Sequence, residues 1–145
     1  MSAKYLTLAI ILVFATAVQS HSNVESETIK ARMKAMSSIS DNMRVLGKMM
    51  KGIDEFDLEK AKAAIGNIAV LAAQTPELFE IEAVDPNAEA KPEIWTNFDD
   101  FVEKALTLEN VALNVGSGLT DEEGLRNAMM SLGATCKACH RLYRN

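Results

Sequence analysis

Met36, Ile39, Met43, Leu46 and Met50 recur at alternating steps of three and four, within a segment from Val24 to Lys51 that has no proline and no glycine before Gly47. That period draws one apolar stripe down an α-helix, because side chains three and four apart share a helix face while strand side chains alternate. Gly52 marks the stop. The same period returns from Leu58 to Gln74, with Asp57 as N-cap, with Leu58, Ala61, Ile65, Ile68 and Ala72 facing inward, and with Pro76 closing the helix. A third helix is predicted from Glu93 to Val115, broken by Gly116-Ser117-Gly118. Thr120-Asp121-Glu122-Glu123 then has the form of a capping box, with Thr120 as N-cap, opening a last helix that runs to Arg144. No segment alternates with period two for long enough to make a sheet. The predicted fold is all-α, an antiparallel up-down four-helix bundle. Between the second and third helices, the stretch from Thr75 to Pro92 holds all three prolines. It is long for a compact domain and is expected to cover a cofactor or a hydrophobic edge.

The chain has 145 residues, enough for one domain with a real core. Its first twenty residues read as a secretory signal: a short basic start at Met1 to Lys4, an apolar run from Tyr5 to Val18, and small residues suiting cleavage before His21. Ala15-Thr16-Ala17 offers an earlier site. The run is short for a membrane span, and no other stretch could cross a bilayer. The domain is therefore predicted as residues 21–145, soluble and exported to the periplasm. Removing the signal with its single lysine leaves fourteen basic side chains against twenty acidic ones. Nucleic acid is excluded as a partner, since its phosphates need a basic footprint. The balance is compatible with docking onto a protein that presents a basic surface.

Both cysteines fall in Cys136-Lys137-Ala138-Cys139-His140. A thioredoxin-like disulfide needs this spacing beside a strand–helix unit, and no strand is available. A structural zinc site needs four ligands, and the chain offers these three and at best His21. A structural disulfide across two residues would close a tiny loop and gain little. Haem attachment uses every residue of the motif: two thiols add to the vinyl groups of a porphyrin, and His140 reaches the iron as proximal ligand. One covalently bound haem c is the predicted cofactor, with Cys136 and Cys139 as its thioether anchors.

The position of the motif, at the end of the last helix of a bundle, resembles the class II c-type cytochromes, the cytochrome c′ and cytochrome c-556 family. The resemblance spans essentially the whole mature chain. It includes Ile29-Lys30-Ala31-Arg32-Met33-Lys34-Ala35-Met36, Lys91-Pro92-Glu93-Ile94-Trp95 and, most specifically, Gly133-Ala134-Thr135 leading into the attachment motif, followed by Tyr143-Arg144. In this family the residue above the iron comes from the first helix, four positions after an arginine, which implies Met36 after Arg32. Gas-binding cytochromes c′ commonly place a non-ligating apolar residue there, whereas the c-556 group resembles this chain in having methionine. The run Asn42-Met43-Arg44-Val45-Leu46-Gly47 also looks like the c-556 group.

Met36 is thus the expected sixth ligand, a soft thioether that favours ferrous iron. A methionine at helical spacing is otherwise core filling. Met33 and Met43 lie on neighbouring faces, and His21 is poorly placed for a fixed ligand. Arg32 is expected either to pair with a haem propionate or to be an ordinary solvated arginine. Arg144, four residues after His140, is expected on the same helical face, tuning the imidazole or complementing the helix dipole. Trp95 and Tyr143 are expected either against the porphyrin or in the core. The resemblance implies a monohaem carrier of single electrons between redox proteins, a monomer or homodimer and not an enzyme. The alternatives are a five-coordinate haem that binds nitric oxide or carbon monoxide, and a haemless bundle with a structural C-x-x-C.

Overall fold

The computed structural model describes residues 26–145. The signal sequence, its cleavage sites, His21 and the Val24 start of the first helix lie outside the described residues. Four long helices, α1 (Glu27–Met50), α2 (Leu58–Leu78), α4 (Phe98–Gly118) and α5 (Glu122–Tyr143), and one short turn, α3 (Glu93–Thr96), make up the described fold. Their neighbours run α1–α2–α4–α5 and back to α1, the arrangement of an antiparallel four-helix bundle. The α2–α4 pair meets over the longest stretch and the α1–α5 pair over the shortest. No strand occurs among the described residues, only an isolated bridge between Ala90 and Arg144.

The main core joins Leu46 and Met49 of α1, Ile65 and Ile68 of α2, and Leu125 and Leu132 of α5, all buried. On α1 the buried face is centred on Ile29, Arg32, Ala35, Ile39, Leu46 and Met49, so the predicted stripe is turned slightly: Met49 is buried and Met36, Met43 and Met50 flank it. Small residues on α2 and α4 let those helices approach closely. A Cβ on Gly116 would stand 3.1 Å from Ile65 Cγ2, which explains why a glycine the sequence offers as a helix breaker sits inside α4.

Several boundaries move for local reasons. Asp57 caps α2 as expected, accepting from the Lys60 amide at 2.9 Å. α2 continues two residues past Pro76, so the irregular connection begins at Phe79. The cap of α5 is Asp121 and not Thr120: its carboxylate accepts from the Gly124 amide at 2.8 Å, and Thr120 only donates to that carboxylate at 3.3 Å. The predicted third helix is two elements. Asn97 leaves helical geometry at φ −130° and ψ 45°, while its side chain donates back to the Glu93 carbonyl at 3.2 Å.

A second, aromatic cluster fills one end of the bundle with Phe79, Ile94, Phe101 and Tyr143. Phe79 and Phe101 pack with centroids 4.9 Å apart, and Tyr143 meets Phe101 edge-on at 5.5 Å. The Tyr143 hydroxyl donates to the Asp100 carboxylate, whose other oxygen accepts from Lys104 Nζ at 2.8 Å. Burial first, and the bond to Asp100 second, push Tyr143 up to about 12. Unfolded tyrosine ionises near pH 10, so the folded chain holds this proton more tightly. The contribution is full below about pH 10 and is lost as pH rises toward 12. Urea unfolding at pH 9 and 11.5 should show that loss, and Tyr143→Phe should lessen it. Asp121→Ala should cost about 1 kcal/mol in the same measurement. Thr120→Ala should cost clearly less, which separates the observed cap from the predicted one.

Candidate functional site

The turn spacing of α5 places Cys136, Cys139 and His140 three and four residues apart, on neighbouring positions of one helix face. Both cysteines are free and half-buried. Cys139 packs against the aromatic cluster. Burial pushes both thiols up, Cys139 to about 11, so they are protonated at neutral pH and lack the thiolate that disulfide exchange requires. His140 stands at the rim of an open depression with Lys137, Arg141, Arg144 and Asn145. Desolvation of the ring, and after it the nearby Arg144, pull its imidazole below the ordinary range. The neutral form, the one that binds metals, is thereby favoured. Among the described residues no three His, Cys, Asp or Glu side chains come together as a metal cluster.

Met36 of α1 is half-buried and packs against the same aromatic cluster as Cys139. Met43 packs only against the main core, and Met33 is 43% exposed. Of the three first-helix methionines considered, Met36 alone reaches the end of the bundle that holds a cysteine of the motif. Two unbridged thiols and an imidazole on one helix face, one of the thiols against an apolar cluster, suit a covalently held haem.

Arg32 is neither solvated nor free. It is 3% exposed, and its Nε donates to the Leu78 carbonyl at 2.8 Å and its Nη1 to that of Ala83 at 3.0 Å, while Nη2 donates to that of Ile81. The guanidinium carbon lies 4.6 Å from the Phe79 ring centroid and 5.2 Å from that of Trp95. Burial lowers its pKa. It thus holds the start of the Phe79–Pro92 connection, in place of the expected solvated side chain. Trp95 is half-buried in the cluster, and its indole donates to the Phe79 carbonyl at 2.8 Å.

Arg144 caps α5 with extended backbone, φ −124° and ψ 137°, while its amide still donates to the His140 carbonyl at 3.0 Å and it lines the same depression as His140. Pairing with the connection draws it out: the Lys91 amide donates to the Tyr143 carbonyl at 3.0 Å and the Asn145 amide to that of Glu89 at 2.8 Å. Arg144 Nε donates to Glu89 at 2.6 Å. Phe79, Phe101 and Asp100 belong to this end of the bundle as well. Nothing in their helical period separates them from ordinary core and surface, so only the packing reveals them.

Residues 27–144 match the family model described as Cytochrome C'. The chain is 38% identical over 117 residues to cytochrome c-556 of Agrobacterium fabrum, covering 80% of this chain and 80% of that protein. It is 37% identical over 123 residues to cytochrome c-554 of Cereibacter sphaeroides, covering 80% and 79%. The solved cytochrome c prime from Shewanella frigidimarina has a TM-score of 0.74 to this chain at 27% identity, covering 85% of this chain and 99% of that one. With its bundle, its attachment motif and these matches, the chain belongs to the cytochrome c′ family, the class II c-type cytochromes, and its cofactor is covalently attached haem c.

Proposed function

We propose that the mature chain is a periplasmic monohaem cytochrome that carries single electrons between redox proteins, with no enzymatic turnover of its own. Cys136 and Cys139 would form the thioether bonds, His140 would be the proximal iron ligand and Met36 the distal one. The observation that carries the reading is the shared packing of Met36 and Cys139 on one aromatic cluster. Similarity to the c-556 and c-554 relatives supports it further.

The haem supplies a one-electron couple; the chain's part is to bind it, hold its ligands and keep water away. Met36, if bound to the iron, would let it change charge with little rearrangement. The apolar residues around Cys139 keep the site dry, which sets the potential together with the ligands. Export rests on the signal sequence, and no described helix is long and apolar enough to cross a membrane. The acidic balance of the mature chain favours redox partners that present a basic surface.

Similarity to a cytochrome c prime supports a second reading, an open iron that captures nitric oxide or carbon monoxide. Ferrous spectra with and without carbon monoxide separate the two. The methionine-ligated form is low-spin and binds the gas slowly and incompletely, and Met36→Ala should turn it high-spin with rapid, complete binding. A high-spin wild type that binds carbon monoxide at once would remove Met36 from the ligand set. Mass spectrometry of the exported protein should find a chain beginning at His21 plus one haem. Cys136→Ser/Cys139→Ser should lose that adduct.

A further inference from the structure

No lysine or arginine stands between Lys62 and Lys91, while Glu77, Glu80, Glu82, Asp85 and Glu89 fall within that interval. Outside these five, the chain from His21 onward has fifteen acidic and fourteen basic side chains. Nearly all the net negative charge of the mature protein is therefore gathered on the end of α2 and the strap that follows it. Among the described residues only Glu89 of the five enters an ion pair, with Arg144. On the same strap Ile81 is 70% exposed and Val84 60% exposed. Two branched aliphatic side chains thus stand exposed among carboxylates of which only Glu89 is paired.

The strap is two-sided. Its inner residues Phe79 and Ala90 pack on the cluster that also touches Met36 and Cys139, while Ile81 and Val84 face outward. Arg32 pins its first half to α1, and backbone pairing with residues 143–145 pins its second half to the end of α5. The outer surface is thus held in one conformation over the end of the bundle that carries the attachment motif.

We infer that the outer face of the strap, Glu77 to Glu89, is the docking surface for a cationic redox protein, with Ile81 and Val84 as its apolar centre and the carboxylates as its rim. An apolar centre within a charged rim is the usual anatomy of a transient interface. Like charges rule out a second copy as the occupant, since a two-fold contact here would set one acidic strap against another. The inference rests on the redox reading above but not on the identity of the sixth ligand. The transfer it serves moves one electron between partners, with no atom or proton exchanged.

Tris(phenanthroline)cobalt(III), an apolar trication, is a suitable probe. Titrated into the oxidised holoprotein, it should shift amide resonances mainly at residues 77–90. Binding should weaken from 10 to 200 mM salt, as the screening length falls from about 30 Å to under 10 Å. Glu80→Gln/Glu82→Gln/Asp85→Asn should weaken it by about tenfold at low salt, and Ile81→Ser/Val84→Ser should weaken it without removing the salt dependence. In the kinetic arm, ferrous protein gives one electron to cobalt(III), forming cobalt(II). The charge variant should slow this several-fold and leave or raise the rate with hexacyanoferrate(III), while its circular dichroism and reduction potential stay unchanged. Shifts centred elsewhere, or variants that bind and react with the cation as the wild type does, overturn the assignment. Absence of haem would instead abolish oxidation by both reagents while the amide titration still reports on the strap.

Discussion

A single guanidinium, buried between two aromatic rings, donates to the carbonyls of Leu78, Ile81 and Ala83. Burying a cation is costly unless its donors are satisfied. Arg32 meets that condition with backbone acceptors alone, together with the faces of Phe79 and Trp95. Only arginine offers donors in a fixed fork that can span three carbonyls of a curving segment; a lysine presents a compact point charge. The position of the strap follows from this contact. Phe79 is directed into the aromatic cluster, the Trp95 indole finds the Phe79 carbonyl, and the far half of the strap lies where residues 143–145 can pair with it.

The chemistry of the site follows from where that cluster sits. It lies at the end of the bundle that carries the attachment motif, and both Met36 and Cys139 border it. Burial keeps the thiols protonated, and desolvation with the nearby Arg144 favours the neutral imidazole. Those states suit permanent attachment and metal ligation better than thiol exchange.

Much of this was legible in the residues. Four helical stripes, the Asp57 cap and the Cys136–His140 motif are local signals, carried by spacing within one or two turns. What was not legible depends on partners far along the chain. Asn97 breaks a predicted helix where Tyr143 reaches it from the far end of the chain, its hydroxyl 3.4 Å from the Asn97 carbonyl. Arg144 continues the helical period in sequence yet turns outward, because Glu89 and Lys91 offer it a strand-like partner. The acceptors of Arg32 are main-chain oxygens, which leave no trace in residue identity. At the start of α5, Thr120 and Asp121 are both good caps, and only the extended backbone of Asp121, at φ −156°, decides between them.

The close approach at Gly116 has a mechanical side. With Ile65 set against that glycine, α2 and α4 meet so closely at this point that a methyl group on residue 116 would force Ile65 to shift. The seam between α1 and α5 is more lightly joined than the other three. In such a bundle a shift of α1 against α5 is governed by the stiffness of that one seam, separately from the tight packing between α2 and α4.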